Sequence, residues 1–206
     1  MQAISLNIEA STFSAVSLFS AKKDILYYLN GVMVETCEKG AYLVATNGHV
    51  LCVHQIDDIP RPDCQIIISN ATAEQIAKKK KGTLTIHLGD KFGKYSGELR
   101  KIEIVDPSGS SMLTNEQEGI FPDWRRVAKH ETNLENHTFY DPDYVAMIDK
   151  AGKIIKGSKE TTFIMPGQES GCGFAVLDYD GKTCVWVMPM RTENVEASKV
   201  LPSITI

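Results

Sequence analysis

The sequence predicts an α+β fold, assembled from one strand-helix-three-strand unit used three times. Three features of the 206-residue chain carry this expectation. Helix starts recur near residues 11, 70 and 141, a period of about 60 that implies duplicated architecture without duplicated sequence. Strand-like runs with alternating apolar residues follow each helix. Asn47-Gly48 and Asp180-Gly181 fall between such runs, where a hairpin needs residues that tolerate positive φ. A single unit has one amphipathic helix and one small antiparallel sheet, too little to bury its own apolar faces. Units are therefore expected to pack in pairs, as a two-sheet, two-helix domain.

The first unit opens with a strand in which Ile4, Leu6 and Ile8 share a face. Ser11 or Thr12 then caps a helix through "STFSAVSLFSAKKD", with Phe13, Val16 and Phe19 at helical spacing. "YYLNGVMVETC", "YLVAT" and "HVLCVHQ" are its three strands. The linker "DDIPRPD" leads to the second unit: a strand "CQIII", a short helix "SNATAEQIAKKKK" capped by Ser69 or Asn70, and strands in "GTLTIHL", "KYSGEL" and "KIEIV". "DPSGSSMLTNEQEG" reads as a polar loop. The third unit has a short strand "HTFY", then a helix with Asp141 as N-cap and Pro142 at its first position. Strands in "TTFIMP", "CGFAVLDYD" and "KTCVWVMPMR" complete it.

Composition narrows the function classes. The chain is 43% hydrophobic and 23% charged, ordinary for a globular protein with a real core, and its formal net charge of −4 excludes a strongly basic nucleic-acid binder while leaving room for local basic patches. Cys37, Cys52, Cys64, Cys172 and Cys184 are odd in number and form no CxxC, which reads as reduced cysteines in a cytosolic (cytoplasmic) protein. "MQAISLNIEA" alternates like a strand and lacks the basic n-region of a signal peptide, and no apolar run reaches the roughly 20 residues of a membrane span. "DGKT" has Val176 where a phosphate loop needs its first glycine. His49 faces away from Cys52 and His54 on an alternating strand, so the three cannot jointly bind a metal. No nucleophile-base pairing or carboxylate pair stands out. The chain is read as a non-enzyme without catalytic residues, metal or cofactor.

Four segments occur in order: "YYLNGVMVET", "LVATNGHVL", "GIFPDWRRV" and "VWVMPMR". Together they resemble the bacterial sliding clamp, the β subunit of DNA polymerase III, over about residues 1–191. The resemblance implies a DNA-clamp fold of repeated β-α-β-β-β half-domains, with antiparallel sheets outside and helices on one face. It implies contact with duplex DNA, without sequence specificity, through lysines near the helix ends. These are Lys22 and Lys23 at the end of the first helix, Lys78, Lys79, Lys80 and Lys81 at the end of the second, and Lys150 and Lys153 at or after the end of the third. Such lysines also have a purely local explanation, since they complement the helix dipole. It further implies a hydrophobic pocket for short motifs of polymerases, clamp loaders and repair proteins. Its walls are Leu29, Thr46, Gly48, His49, Val50, Leu51, Pro122, Arg126, Val127, Trp186, Val187, Met188, Pro189, Met190 and Arg191. Arg125, beside Arg126, is left without a role.

The chain also departs from that family. The resemblance implies one complete domain over 1–127 (half-units about 1–56 and 63–127), a single half-domain over 128–191, and a tail over 192–206. The family's first domain is missing, as is the strand-helix half expected after Val127. An orphan half leaves an apolar face to be covered, which points to a homo-oligomer. Val50 stands where the family has Arg, and Trp186 where it has a smaller apolar residue, so the pocket is expected to be greasier and narrower. The compact chain points to a phage or mobile-element version. The leading expectation is a clamp-like tether of replication or repair proteins on DNA. The alternative is a protein-binding module that keeps the pocket, does not encircle DNA, and competes or pairs with a host clamp.

Overall fold

The computed structural model describes residues 4–78, 81–88, 99–128, 139–157, 162, 164–165 and 171–190. Its elements are β1 (Ile4–Glu9), α1 (Ala10–Ser17), β2 (Gly31–Cys37), β3 (Gly40–Thr46), β4 (Val50–Asp57), β5 (Cys64–Ser69), α2 (Asn70–Ala77), β6 (Thr83–Leu88), β7 (Lys101–Val105), β8 (Ser111–Asn115), α3 (Pro142–Lys156), β9 (Gly173–Val176) and β10 (Thr183–Val187). Single 3₁₀ turns stand at Tyr27–Leu29 and Trp124–Arg126. The strands form a four-stranded sheet ordered β1-β6-β7-β8 and a six-stranded sheet ordered β5-β2-β3-β4-β10-β9, antiparallel throughout. The fold is α+β with repeated antiparallel segments, as the sequence predicts. No described helix is long and apolar enough to cross a membrane.

The first two units exchange strands. β1 leaves its own unit to pair with β6, and β5 pairs back onto β2. Neither unit closes alone, because each lends the strand that completes the other's sheet. The two sheets differ in how they are buried. In the four-stranded sheet, Leu6, Ile8, Leu84, Ile86, Ile102 and Ile104 face the helices and alternate with polar residues toward solvent. The six-stranded sheet is covered on both faces. Val32, Val34, Leu43, Val50, Cys52, Ile66, Ile68, Val185 and Val187 face α1, α2 and α3. Met33, Val44, Leu51, Val53, Ile67, Phe174 and Trp186 build a second core on the outer face, closed by Leu29 and Phe121. Burial of both faces is why these strands read as near-continuous apolar runs.

Several local expectations need correction. α1 starts at Ala10, inside which neither Ser11 nor Thr12 serves as cap; the N-cap is Glu9, without a side-chain hydrogen bond. β1 runs straight into the helix, and the Ala10 N–H is taken by the Gly82 carbonyl at 2.9 Å. α1 also ends at Ser17, seven residues short of Asp24. Leu18, Phe19 and Ser20 N–H groups bond three residues back, and the Ser17 and Ser20 hydroxyls donate to the Ser14 and Ser17 carbonyls, so the helical ladder tightens and stops. Ser69, not Asn70, caps α2, accepting from the Thr72 N–H. The Asn70 side chain instead donates to the Ala21 carbonyl at 2.7 Å, and its Oδ1 lies 2.7 Å from Ser20 Oγ, whose single hydrogen it shares with the Ser17 carbonyl. "DPSGSSMLTNEQEG" is not wholly a loop. Asp106 Oδ1 accepts from the Ser108 and Ser110 N–H groups, turning the chain so that β8 pairs along β7. The expected "KYSGEL" strand lies outside the described residues except Leu99, which is in no strand. In "HTFY", Phe139 and Tyr140 are in no strand and the rest lies outside; in "TTFIMP", Met165 makes one isolated bridge to Phe174. α3 keeps its expected start, with Asp141 accepting from the Asp143 N–H and Pro142 following.

The third unit joins the first through one strand pair. β10 runs antiparallel to β4, matching Thr183 with His54 and Trp186 with Leu51. At the polar end of this joint, His54 Nδ1 lies 2.9 Å from Thr183 Oγ1, whose hydrogen goes to Asp178 Oδ2 at 2.5 Å. The imidazole must therefore carry its hydrogen on Nδ1. Burial pushes the His54 pKa down to about 4; Asp178 opposes that shift and Lys182 reinforces it. Burial also raises the neighbouring Cys52 and Cys184 thiols, the latter to about 11, so both stay protonated.

Two predictions follow from this architecture. Native His54 is neutral while the unfolded side chain titrates near 6.5, so its contribution is fully present above about pH 6.5 and is lost as pH falls toward 4, by up to about 1.4 kcal/mol per pH unit. Urea midpoints of wild type and His54→Gln, compared at pH 7 and 4.5, should converge on acidification; parallel pH profiles would contradict the buried neutral imidazole. Gly48 has φ +89 with open space around it, whereas Gly119 has φ +129 and an added Cβ would meet Tyr28 Cβ at 2.7 Å. Gly48→Ala should cost about 1 kcal/mol by urea unfolding. Gly119→Ala should cost clearly more, because backbone strain and a clash add.

Candidate functional site

A cavity of about 540 Å³ opens on the outer face of the six-stranded sheet, where β4 meets β10. Five stretches of chain, separated in sequence, converge on it. The first is the β3–β4 turn. Asn47 Oδ1 accepts from the His49 and Val50 N–H groups at 3.0 Å, and Thr46 Oγ1 donates to the Val50 carbonyl at 2.8 Å. These bonds hold Thr46, Gly48 and His49 at the rim, with Leu51 below them. The second is Leu29, at the end of its 3₁₀ turn.

The third stretch is the connection Phe121–Val127. Phe121 is buried in the outer core and anchors it. Trp124 Nε1 donates to Glu35 Oε2 at 3.0 Å, and its ring packs 5.5 Å from that of Tyr42. The Arg125 guanidinium lies 4.3 Å from the centre of the Trp124 ring and 2.8 Å from Glu35 Oε2. Arg125 thus has an intramolecular role: it clamps the connection onto β2. Pro122, Asp123, Arg126 and Val127 are then presented to the cavity, with Arg126 exposed at its edge. The fourth stretch is β10 and its exit. Trp186 stands opposite Leu51 and packs on Phe174, with ring centres 5.3 Å apart. Met188 follows, its N–H donated to the His49 carbonyl at 2.8 Å, and a fifth stretch, Gly171 and Cys172 before β9, completes the wall. Burial raises the Cys172 thiol, which keeps it neutral. The His49 ring also stacks on Tyr144 of α3 at 5.9 Å, tying the rim to that helix.

Of the fifteen residues expected at the pocket, the structure brings eleven to one cavity: Leu29, Thr46, Gly48, His49, Val50, Leu51, Pro122, Arg126, Val127, Trp186 and Met188. Val187 is not among the lining residues: strand alternation buries its side chain in the helix-facing core, whereas Val50, also in that core, reaches the cavity at the β3–β4 turn. Pro189 and Met190 lie past the strand end, where the Met190 N–H is held by the Phe139 carbonyl at 2.8 Å. Arg191 lies outside the described residues. Phe121, Asp123, Trp124, Gly171 and Cys172 line the cavity without having been expected there. The first three sit beside Pro122 and could have been found from it. Nothing in "ESGCGF" marks Gly171 and Cys172.

The lysines are placed differently from expectation. Lys22 and Lys23 do not end α1; they lie five and six residues beyond it, exposed, with Lys23 at φ +57. Lys78 is the C-cap of α2 and Lys81 lies just beyond it, while Lys79 and Lys80 lie outside the described residues. Lys150 and Lys153 are within α3, which extends to Lys156 because its αL C-cap is Gly157. Lys153 is paired with Asp149 at 2.5 Å. Lys22 and Lys150 meet at one cleft between the end of α1 and α3, shared with Asn47 and Asp143. Among the described residues, no group of three or more His, Cys, Asp and Glu side chains could hold a metal ion.

No family model matches the chain, and no curated protein sequence matches it. Solved structures do. The DNA polymerase III β subunit of Pseudomonas aeruginosa superposes with a TM-score of 0.65 at 18% identity, covering 91% of this chain and 66% of that one. The β subunit of Thermotoga maritima gives 0.64 at 12% identity, covering 91% and 65%. That of Borrelia burgdorferi, solved in complex with a natural product, gives 0.63 at 14%, covering 92% and 64%. The chain thus spans about two thirds of the length of these clamp subunits. At such identities the likeness establishes the fold: this chain has the architecture of the bacterial β sliding clamp.

Proposed function

We propose that the chain is a clamp-like, non-enzymatic tether, which holds short peptide motifs of replication or repair proteins in the cavity at the β4–β10 joint. The carrying observation is the convergence of five separated stretches on one apolar cavity, in a chain with the clamp fold. The cavity suits an extended peptide with apolar anchors. Its volume lies within the usual range for ligand sites, and its floor is Leu29, Leu51 and Trp186. Met188 adapts its shape to different side chains, while His49, Asp123 and Arg126 on the rim offer polar partners. The exposed lysines Lys22, Lys23, Lys78, Lys81 and Lys150 would rest on DNA phosphates, loosely and with strong salt dependence. In this reading residues 1–127 form a complete domain and 128–191 a half-domain, so encircling DNA requires further copies of the chain.

The second reading keeps the pocket without encirclement, as a module that competes or pairs with a host clamp. Two observations favour it. Lys153 is spent on Asp149, and the chain is acidic overall, with net charge −4. Light scattering separates the two readings: a defined oligomer with salt-sensitive retention on circular but not linear DNA supports the tether, and a stable monomer supports the module.

A test of the pocket itself is common to both. A peptide carrying a clamp-binding motif, titrated against wild type and Met188→Ala, should bind the variant about fivefold more weakly, the loss expected from roughly 1 kcal/mol of apolar contact. Trp186→Ala should weaken it further. Equal affinity for all three proteins would remove the cavity from the account.

A further inference from the structure

We infer that the cavity at the β4–β10 joint has an occupant within the same chain: the apolar run Val200–Ile206 of the C-terminal segment, which competes there with peptides from other proteins. This rests on the reading of that cavity as a peptide site. The chain leaves the described structure at the cavity's own rim. Met188 lines the cavity, and its N–H is fixed to the His49 carbonyl. Met190 is fixed to the Phe139 carbonyl, so the segment from Arg191 onward starts from an anchored point two residues past the wall. Nine residues lie between Met190 and Val200. The ten Cα-to-Cα steps from Met190 to Val200 can span up to about 33–36 Å, so reach does not limit the return.

The segment has the chemistry of a ligand for this cavity. Val200, Leu201, Ile204 and Ile206 supply aliphatic side chains to a cavity lined by Leu29, Leu51, Trp186 and Met188. Pro202 restricts the run and lowers the entropy lost on binding. No acidic residue falls between Ala197 and Ile206, while Glu193 and Glu196 stand on the tether, opposite in sign to Arg126 on the rim. Covalent linkage through so few residues would set an effective concentration on the order of 1 mM. A segment with an intrinsic Kd of only about 100 μM would then fill about nine-tenths of the cavities and weaken a competing peptide about tenfold. A weak internal occupant of this kind sets a threshold, so that only partners with stronger motifs enter.

The experiment uses a fluorescein-labelled synthetic peptide of residues 196–206, with the clamp-motif peptide as a second probe. Anisotropy titrations compare the full chain, a chain ending at Thr192, and the full chain carrying Leu201→Asp. The point variant keeps the test valid if truncation impairs folding. Both altered chains should bind both probes about tenfold more tightly than the full chain, and Trp186→Ala in the Leu201→Asp background should weaken both. If all three chains bind the clamp-motif peptide equally and none binds the tail peptide, the inference fails while the peptide site stands. If no chain binds either probe, the peptide site fails and the inference with it.

Discussion

Everything distinctive in this molecule depends on five residue pairs between β4 and β10. The antiparallel ladder from Thr183–His54 to Val187–Val50 makes one six-stranded sheet out of strands separated by more than 120 residues. Its alternation sends Val185 and Val187 to the helix-facing core and Trp186 to the outer core. The same alternation places the largest ring of the third unit beside Leu51 of the first. Without that register neither the floor nor the rim of the cavity would exist, because Met188 reaches His49 only where β10 ends level with the β3–β4 turn. A shift of one residue would put Trp186 on the helix side and Val187 in the cavity.

The outer wall depends on a second device. The segment Phe121–Val127 has only one 3₁₀ turn of regular structure, yet it is held at both the backbone and side-chain levels. Phe121 is buried, Trp124 donates to Glu35, and Arg125 stacks on Trp124 while pairing with the same carboxylate. Glu35 therefore ties together two neighbouring side chains that point in the same direction. A wall fixed in this way is ordered before a ligand arrives, so less conformational entropy is lost on binding. The adjacent arginines consequently divide their tasks: Arg125 holds the wall, and Arg126 stands at the edge of the space the wall encloses.

Much of the fold was legible because its signals are local. Ile4, Leu6 and Ile8 alternate because their sheet has one wet face, and Asn47-Gly48 marks a turn whose bonds come from Asn47 itself. Asp141-Pro142 marks the start of α3 for the same reason. The misreadings arose where nonlocal contacts decide. β8 hides in a polar stretch because Leu113 and its neighbours face solvent on an outer strand of the sheet, leaving Met112 as the main apolar inward contact. α1 stops early because serine hydroxyls compete for its carbonyls, which helical spacing of Phe13, Val16 and Phe19 does not reveal. Most of the cavity followed from matched segments, since those segments are the ones that meet at the joint. Cys172 and Gly171 reach it only through β9, and Val187 misses it only through strand parity, neither of which a motif encodes.

The central claim is that the cavity at the β4–β10 joint is where a partner peptide sits. The chain's two tryptophans both line that cavity, so their indole N–H groups are built-in reporters. A titration of the ¹⁵N-labelled protein with a clamp-motif peptide, followed by NMR, tests the claim most directly. Both the Trp124 and Trp186 indole signals should shift and saturate together with the peptide's own binding curve. Saturable binding that leaves both indole signals in place would contradict the account.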